Sequence, residues 1–246
     1  MSIDWFSMID LNISQTKFDK AKNIEIPKEY SFRMKSGIPE IDKLLGGGFV
    51  AGQTFTLAGT AGSGKTTMLL QLLEGFSING IRAAYISGEE PVHQLAFTSK
   101  RINTNNVLLA NMSIIEDIFD EVMKNDFHII ILDSFPSITS KKGLKKVQLE
   151  TYLANYITFM AKKTKTVVGT VLHCTKRGTY KGTTLFPHNV DSNFMFRRNK
   201  FDSDVCELEI TKNRFASTGT KYFRMTPNGI DFKSIPEESL KTKEGK

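Results

Sequence analysis

The chain has 246 residues, 40% hydrophobic and 24% charged, a globular composition long enough to bury a core without disulfides or structural metals. Its two cysteines, Cys174 and Cys206, form no C-x-x-C pair, which argues against a zinc site or a disulfide framework and favours a cytoplasmic setting. A formal charge of +7 is compatible with a polyanionic partner, and no run of about 18 apolar residues is present to span a membrane.

Residues 1–32 mix polar side chains with scattered aromatics at no clear period and read as an arm, a candidate for subunit contact, or a small cap rather than a domain. Asp4 and the lack of a basic start argue against a signal peptide. A single core is expected over 33–233 and a polar tail over 234–246. "SGIPEIDKLLGGG" predicts a short helix stopped by its glycines, and "QTFTLA" a strand, followed by a glycine loop and the helix "TTMLLQLLEGFSING". The strand-then-helix rhythm continues through "IRAAYIS", "VHQLAFTSKRI", "SIIEDIFDEVMK", "FHIIIL", "QLETYLANYITFMAKKTK" and "TVVGTVL". Such alternation predicts an α/β fold with a mainly parallel central sheet flanked by helices. "SNFMFRR", "VCELEITK" and "KYFRMT" follow with no helix between them, predicting a C-terminal antiparallel extension.

Gly59–Thr66 fits G-x-x-x-x-G-K-[ST], placed between a strand and a helix as the P-loop requires. Its candidate phosphate-binding residues are Gly59, Thr60, Ala61, Gly62, Ser63, Gly64, Lys65, Thr66 and Thr67. Backbone amides of the loop would turn inward on the phosphates, Lys65 would reach the β- and γ-phosphates, and the Thr66 hydroxyl would complete a Mg²⁺ shell. ATP and Mg²⁺ are therefore the expected ligands. Asp133, at the end of "HIIILD", stands where a P-loop protein needs a metal-binding carboxylate, although an Asp there also serves as a cap. In "YISGEE" a carboxylate just past the strand orients and deprotonates attacking water. Glu89 is the first candidate and Glu90 the reserve, the alternative being two acids at a helix start before Pro91.

"SGIPEIDKLLGGGFVAGQTFTLAGTAGSGKTT" resembles the opening of the RecA-like ATPase core shared by bacterial RadA (Sms), KaiC and the RecA-type recombinases. "YISGEEPVHQLAFTSKRI", "VLHCTKRG", "HNVDSNFMFRR" and "EITKNRFASTGTKYFRM" are similar to segments of the RadA branch. The likeness runs from about Arg33 to Phe232. It implies a ring or filament with ATP between subunits, in which the "KNRF" cations, Lys212 and Arg214, reach the γ-phosphate of the neighbour. His173 would act as a sensor of nucleotide state.

Two loops would face the axis, where single-stranded DNA runs. One holds Lys141, Lys142, Lys145 and Lys146; the other holds Lys176, Arg177, Tyr180 and Lys181. Lysines would neutralise phosphates without reading sequence, and Tyr180 and Phe186 would stack on bases.

The chain departs from the RadA pattern at Leu172 and Ala216, where that branch has glycine. No counterpart of its four-cysteine zinc finger or Lon-like domain is read here. A stand-alone core of the kind found in phage recombination ATPases is the expectation. "FDKA", Phe18–Ala21, is similar to the Phe-x-x-Ala polymerisation plug of recombinases in this superfamily. The expected function is a DNA-dependent ATPase of recombination or repair that works as a homo-oligomer, with a single-strand-binding protein or other recombination proteins as further partners. The alternative is a KaiC-like regulatory ATPase acting on a protein.

Overall fold

The computed structural model describes residues 18, 20–175 and 185–236. The arm contains a single turn at Ala21–Asn23 and a short helix, α1 (Lys28–Ser31), and leaves Phe18, Ile24, Ile26 and Phe32 exposed. Burial begins at Met34, which bridges to Phe49 in front of the first strand.

The parallel part of the fold is β1 (Thr54–Gly59), α3 (Lys65–Ile78), β2 (Ala83–Ser87), α4 (Val92–Arg101), β3 (Leu108–Asn111), α5 (Ile115–Asn125), β4 (Ile129–Asp133), α6 (Lys146–Thr164) and β5 (Val167–His173). A short α2 (Pro39–Leu44) precedes it. After it come α7 (Leu185–Asn189), β6 (Ser192–Arg198), β7 (Val205–Asn213), β8 (Gly219–Thr226) and β9 (Gly229–Ile235). All described strands join one sheet in the order β3-β2-β4-β5-β1-β6-β7-β8-β9. No helix among the described residues is long and apolar enough to cross a membrane.

Apolar runs explain the centre. β1 is buried along its whole length, as is β4 up to Asp133, because helices cover both faces. One core gathers α3 and α4 with Phe49, Phe55, Phe76 and Phe194; the other gathers α5, α6 and α7. The Phe55 and Phe194 rings stack at 4.9 Å. Gly169 interrupts the apolar run of β5 because a Cβ there would strike the Phe55 ring. Truncating Phe55 to Ala would open a cavity costing about 3–5 kcal/mol.

Three features differ from expectation. β6 pairs parallel with β1 and antiparallel with β7, so it belongs to both halves of the sheet. Segment 174–191 makes this feasible, since a parallel crossover needs about a dozen residues or more. β3 and β9 lack a clean alternation: β3 is a short edge strand templated by β2, and β9 returns from the turn after Thr226. Phe186 is not available to bases: it is buried and stacks on Phe135 at 4.5 Å.

Candidate functional site

The carboxyl ends of β1, β2, β4 and β5 converge on one cleft. It is lined by Ala61, Gly62, Gly64, Lys65, Thr66, Thr67, Glu89, Glu90, Asp133 and His173. Arg101, Arg198, Met225 and Thr226 close the side towards the C-terminal strands. Gly59, Thr60 and Ser63 complete the loop behind this lining.

Glycine is required at two loop positions. Gly64 precedes α3 with φ +101°, and a Cβ there would strike the Met225 methyl. At Gly59 a Cβ would collide with the Phe196 carbonyl. These glycines let α3 start against the cleft, with its unpaired first-turn amides available to an anion. Lys65 is buried, and its ammonium donates to the carbonyls of Gly59 (3.1 Å) and Thr60 (3.0 Å). Burial pushes its pKa down, against the pull of Asp133, Cys174 and Glu89.

Three carboxylates face this lysine. Asp133 is half-buried and accepts a hydrogen bond from the Tyr85 hydroxyl. Burial holds its pKa above the ordinary value despite that bond. Glu89 accepts from the Ser134 hydroxyl through one oxygen, and its other oxygen lies 3.7 Å from His173 Nε2. Glu90 is raised by burial, then by Asp133 and Glu89. The backbone amides of Glu89 and Glu90 both donate to Ser87 Oγ, at 3.2 and 2.7 Å, which fixes the turn that carries them.

The hydroxyl of Thr66 and the carboxylate of Asp133 are hard oxygen donors, and the Tyr85 hydroxyl donates to Asp133. No cluster of three or more acidic, histidine or cysteine side chains able to hold a metal exists among the described residues. Two hard oxygens, from Thr66 and Asp133, fit Mg²⁺, which takes one or two protein oxygens and completes its shell with water and phosphate.

Lys212 and Arg214 lie elsewhere. Lys212 lies in β7 opposite Asn193, level with the middle of β1, while Arg214 follows β7 and its amide bonds to Asp191, at the end of β1 opposite the glycine loop. Five residue steps of β1 separate the two ends by about 17 Å, farther than an arginine side chain reaches. The Lys212 ammonium donates to the carbonyls of His188 (2.8 Å) and Val190 (2.6 Å), and Arg214 pairs with Asp191 at 3.1 Å.

Of the first basic loop, Lys141 pairs with Asp117 and Lys142 lies over the Tyr152 ring at 4.7 Å. Lys145 and Lys146 open α6 and are exposed. Lys176, Arg177, Tyr180 and Lys181 lie outside the described residues. Tyr85, Ser134, Arg101 and Arg198 were not anticipated. Ser134 directly follows Asp133, a usable signal, whereas Arg198 reaches the cleft only because β6 runs parallel to β1.

Residues 34–121 match the family model described as "ATPase: KaiC". The chain is 34% identical over 221 residues to the "DNA repair protein RadA" of Aquifex aeolicus, covering 86% of this chain and 48% of that protein. It is 29% identical over 247 residues to the same-named protein of Campylobacter jejuni, covering 92% and 54%. The chain thus spans about half the length of these curated relatives. Among solved structures, one described as an "ATPase Domain" superposes with a TM-score of 0.71 at 13% identity, covering 85% of this chain and 94% of that one. The flagellar accessory protein FlaH from Methanocaldococcus jannaschii superposes with a TM-score of 0.65 at 14% identity, covering 83% and 98%. These two likenesses concern the fold alone. Taken with the glycine loop, the Asp133 strand end and the sheet order, the sequence relatives support an ATPase core similar to those of the RecA/RadA superfamily.

Proposed function

We propose that this chain hydrolyses ATP as a homo-oligomer on single-stranded DNA, in recombination or repair, with each ATP held between two copies. One observation supports the oligomeric part: Arg214 lies at the end of the central strands opposite the P-loop cleft, and Lys212 is drawn towards the same end by the His188 and Val190 carbonyls, as cations acting on another copy's site would be.

In the occupied site Lys65 turns from the Gly59 and Thr60 carbonyls to the β- and γ-phosphates, beside the α3 amides. Thr66 and Asp133 would hold Mg²⁺, which would supply charge neutralisation to the phosphate oxygens. Glu89, aligned by Ser134 and His173, orients the attacking water and takes its proton. Glu90 has no hydroxyl donor to its carboxylate among the described residues and is the weaker candidate for that step. His173, touching Glu89 at the end of β5, passes the state of the site to the residues that follow Thr175. Arg214 and Lys212 of the adjacent copy stabilise the charge on the transferred phosphoryl group. Lys145 and Lys146, with Lys176, Arg177, Tyr180 and Lys181, contact the DNA.

A second reading, a KaiC-like ATPase acting on a protein, draws on the first loop: Lys141 is already paired with Asp117 and Lys142 stacked on Tyr152. Phosphate release with and without single-stranded DNA separates the two, beside a Lys65→Ala control. Stimulation by DNA that vanishes in the control supports the DNA reading. Hydrolysis indifferent to DNA overturns it and puts the protein-partner reading first. No hydrolysis in either condition leaves a nucleotide-binding module.

A further inference from the structure

Resting on the reading of Lys212 and Arg214 as residues that act on a neighbouring copy, we propose that Asp191 is their positioning residue, setting the guanidinium of Arg214 for the neighbour's γ-phosphate. Asp191 is buried, at 3% exposure, at the start of β6. Its two carboxylate oxygens have separate duties. Oδ2 accepts from the Thr54 amide (2.9 Å), the Thr54 hydroxyl (3.0 Å) and the Lys162 ammonium (3.2 Å), tying β6 to β1 and α6. Oδ1 accepts from Arg214 Nη1 at 3.1 Å. The Asp191 carbonyl also accepts the Arg214 amide at 3.0 Å, so backbone and side chain of Arg214 are both tied to one residue.

This arrangement leaves the arginine usable. A guanidinium has five N–H donors, and Asp191 engages one of its nitrogens, while the Arg214 side chain remains 55% exposed. Lys212 is held by the same short segment, through the His188 and Val190 carbonyls. Two cations this close repel each other, and the Asp191 charge beside them offsets that repulsion. The pair therefore stands on the surface in one orientation rather than as two solvated, freely rotating side chains.

The division between the oxygens supplies the test. In Asp191→Asn the amide oxygen can still serve Thr54, while its NH₂ cannot accept from Arg214. Hydrolysis by the variant is expected to fall roughly ten- to hundredfold in kcat, the size associated with losing charge-assisted bonds, with nucleotide affinity unchanged. A merely structural role would not predict what mixing does. Combined in equal amounts with Glu89→Gln subunits before DNA and ATP are added, Asp191→Asn subunits should regain about a quarter of wild-type activity, because intact sites then meet intact cations. Mixed with Arg214→Ala subunits they should regain none.

Arg214→Ala with Glu89→Gln is the control. If that pair fails to regain activity, the trans reading falls and this inference with it. If that pair regains activity but Asp191→Asn with Glu89→Gln does not, the trans reading stands and the role of Asp191 is overturned. Full activity of Asp191→Asn alone overturns it too. Should the Asn variant fail to fold, Asp191→Glu keeps the charge but displaces it by one methylene. It is expected to show the same complementation pattern with a smaller loss, and full activity or absence of complementation would count against the proposal.

Discussion

Asp133 and Asp191 sit at opposite ends of the central strands, and their surroundings move them in opposite directions. Burial raises the pKa of both. At Asp133 burial wins, since the main neutral donor is the Tyr85 hydroxyl and Glu89 adds repulsion. At Asp191 the Thr54 amide, Lys162 and the Thr54 hydroxyl outweigh burial, and the pKa falls below the ordinary 3.8. The difference separates two kinds of buried charge. At the far end the buried carboxylate is matched by cations and an amide of the same copy, whereas in the cleft Asp133 is buried beside Glu89 with a neutral hydroxyl as its main donor. Glu90, raised as well, belongs to the cleft.

The sharpest break in this comparison comes from removing cleft charge. Lys65→Ala and Asp133→Asn should each lower phosphate release by about a thousandfold or more, since phosphoryl transfer depends on charge stabilisation. Neither change should unfold the protein. Hydrolysis within a fewfold of wild type in Asp133→Asn would mean that this carboxylate merely caps the segment after β4.

Stability should divide the two aspartates in the opposite sense. Asp191→Asn loses bonds to an ionised group and should cost about 1.5–3 kcal/mol, lowering Tm by roughly 3–10 °C in calorimetry. Asp133→Asn removes an unfavourable buried charge and should leave the unliganded Tm unchanged or higher. The pH dependence carries matching signs. Asp191, depressed in the folded state, contributes stability that is complete above 3.8 and lost as pH falls through its folded value. Asp133 and Glu90, raised above 3.8 and 4.5, impose a cost at neutral pH that is relieved as pH falls through their folded values. Denaturant unfolding between pH 3 and 7 should therefore show an acid loss in wild type that is smaller in Asp191→Asn.

Much of the cleft was legible in the sequence because its parts are local. A loop whose glycines, lysine and threonine are adjacent, and a carboxylate ending an apolar strand, need no knowledge of distant pairing. The far end was not legible in the same way. That Lys212 and Arg214 stand together follows from "KNRF", but their dependence on Asp191 follows only from the pairing of Ser192 with Asn213 and of β6 with β1. Expecting antiparallel strands from "SNFMFRR" onward gave no reason to carry Arg198 to the cleft; the parallel crossover does so. Tyr85 was hidden for another reason. An aromatic in a strand with both faces covered reads as core, and its hydroxyl reveals a role only once β2 and β4 are paired. β9 had a usable signal in "NG", a turn dipeptide shortly after a strand that ends at Thr226.

Tyr85 offers a milder way to sharpen the contrast. Tyr85→Phe removes the hydroxyl that opposes the effect of burial on Asp133, so the Asp133 pKa should rise further. The acid limb of the kcat profile should move to higher pH, and kcat at neutral pH should fall by about tenfold or less, the size of one hydrogen bond. An unmoved acid limb would show that this bond does not tune Asp133.

The smallest effects concern the first basic loop, where the contrast between committed and uncommitted charge recurs on the surface. Lys145 and Lys146 make no ion pair among the described residues, while Lys141 is paired with Asp117. Each lysine that meets a phosphate of single-stranded DNA steepens the salt dependence of binding by about 0.7 in log–log slope. Replacing Lys145 and Lys146 with Ala should thus reduce the slope by up to about 1.4, and Lys141→Ala should reduce it by less. Asp117→Ala discriminates further. An exposed pair contributes little to stability, so its loss should barely change Tm. Yet it releases the Lys141 ammonium, so DNA should bind more tightly and with a steeper slope. If Asp117→Ala leaves binding untouched while the double lysine variant weakens it, DNA runs past the start of α6 and does not reach Lys141.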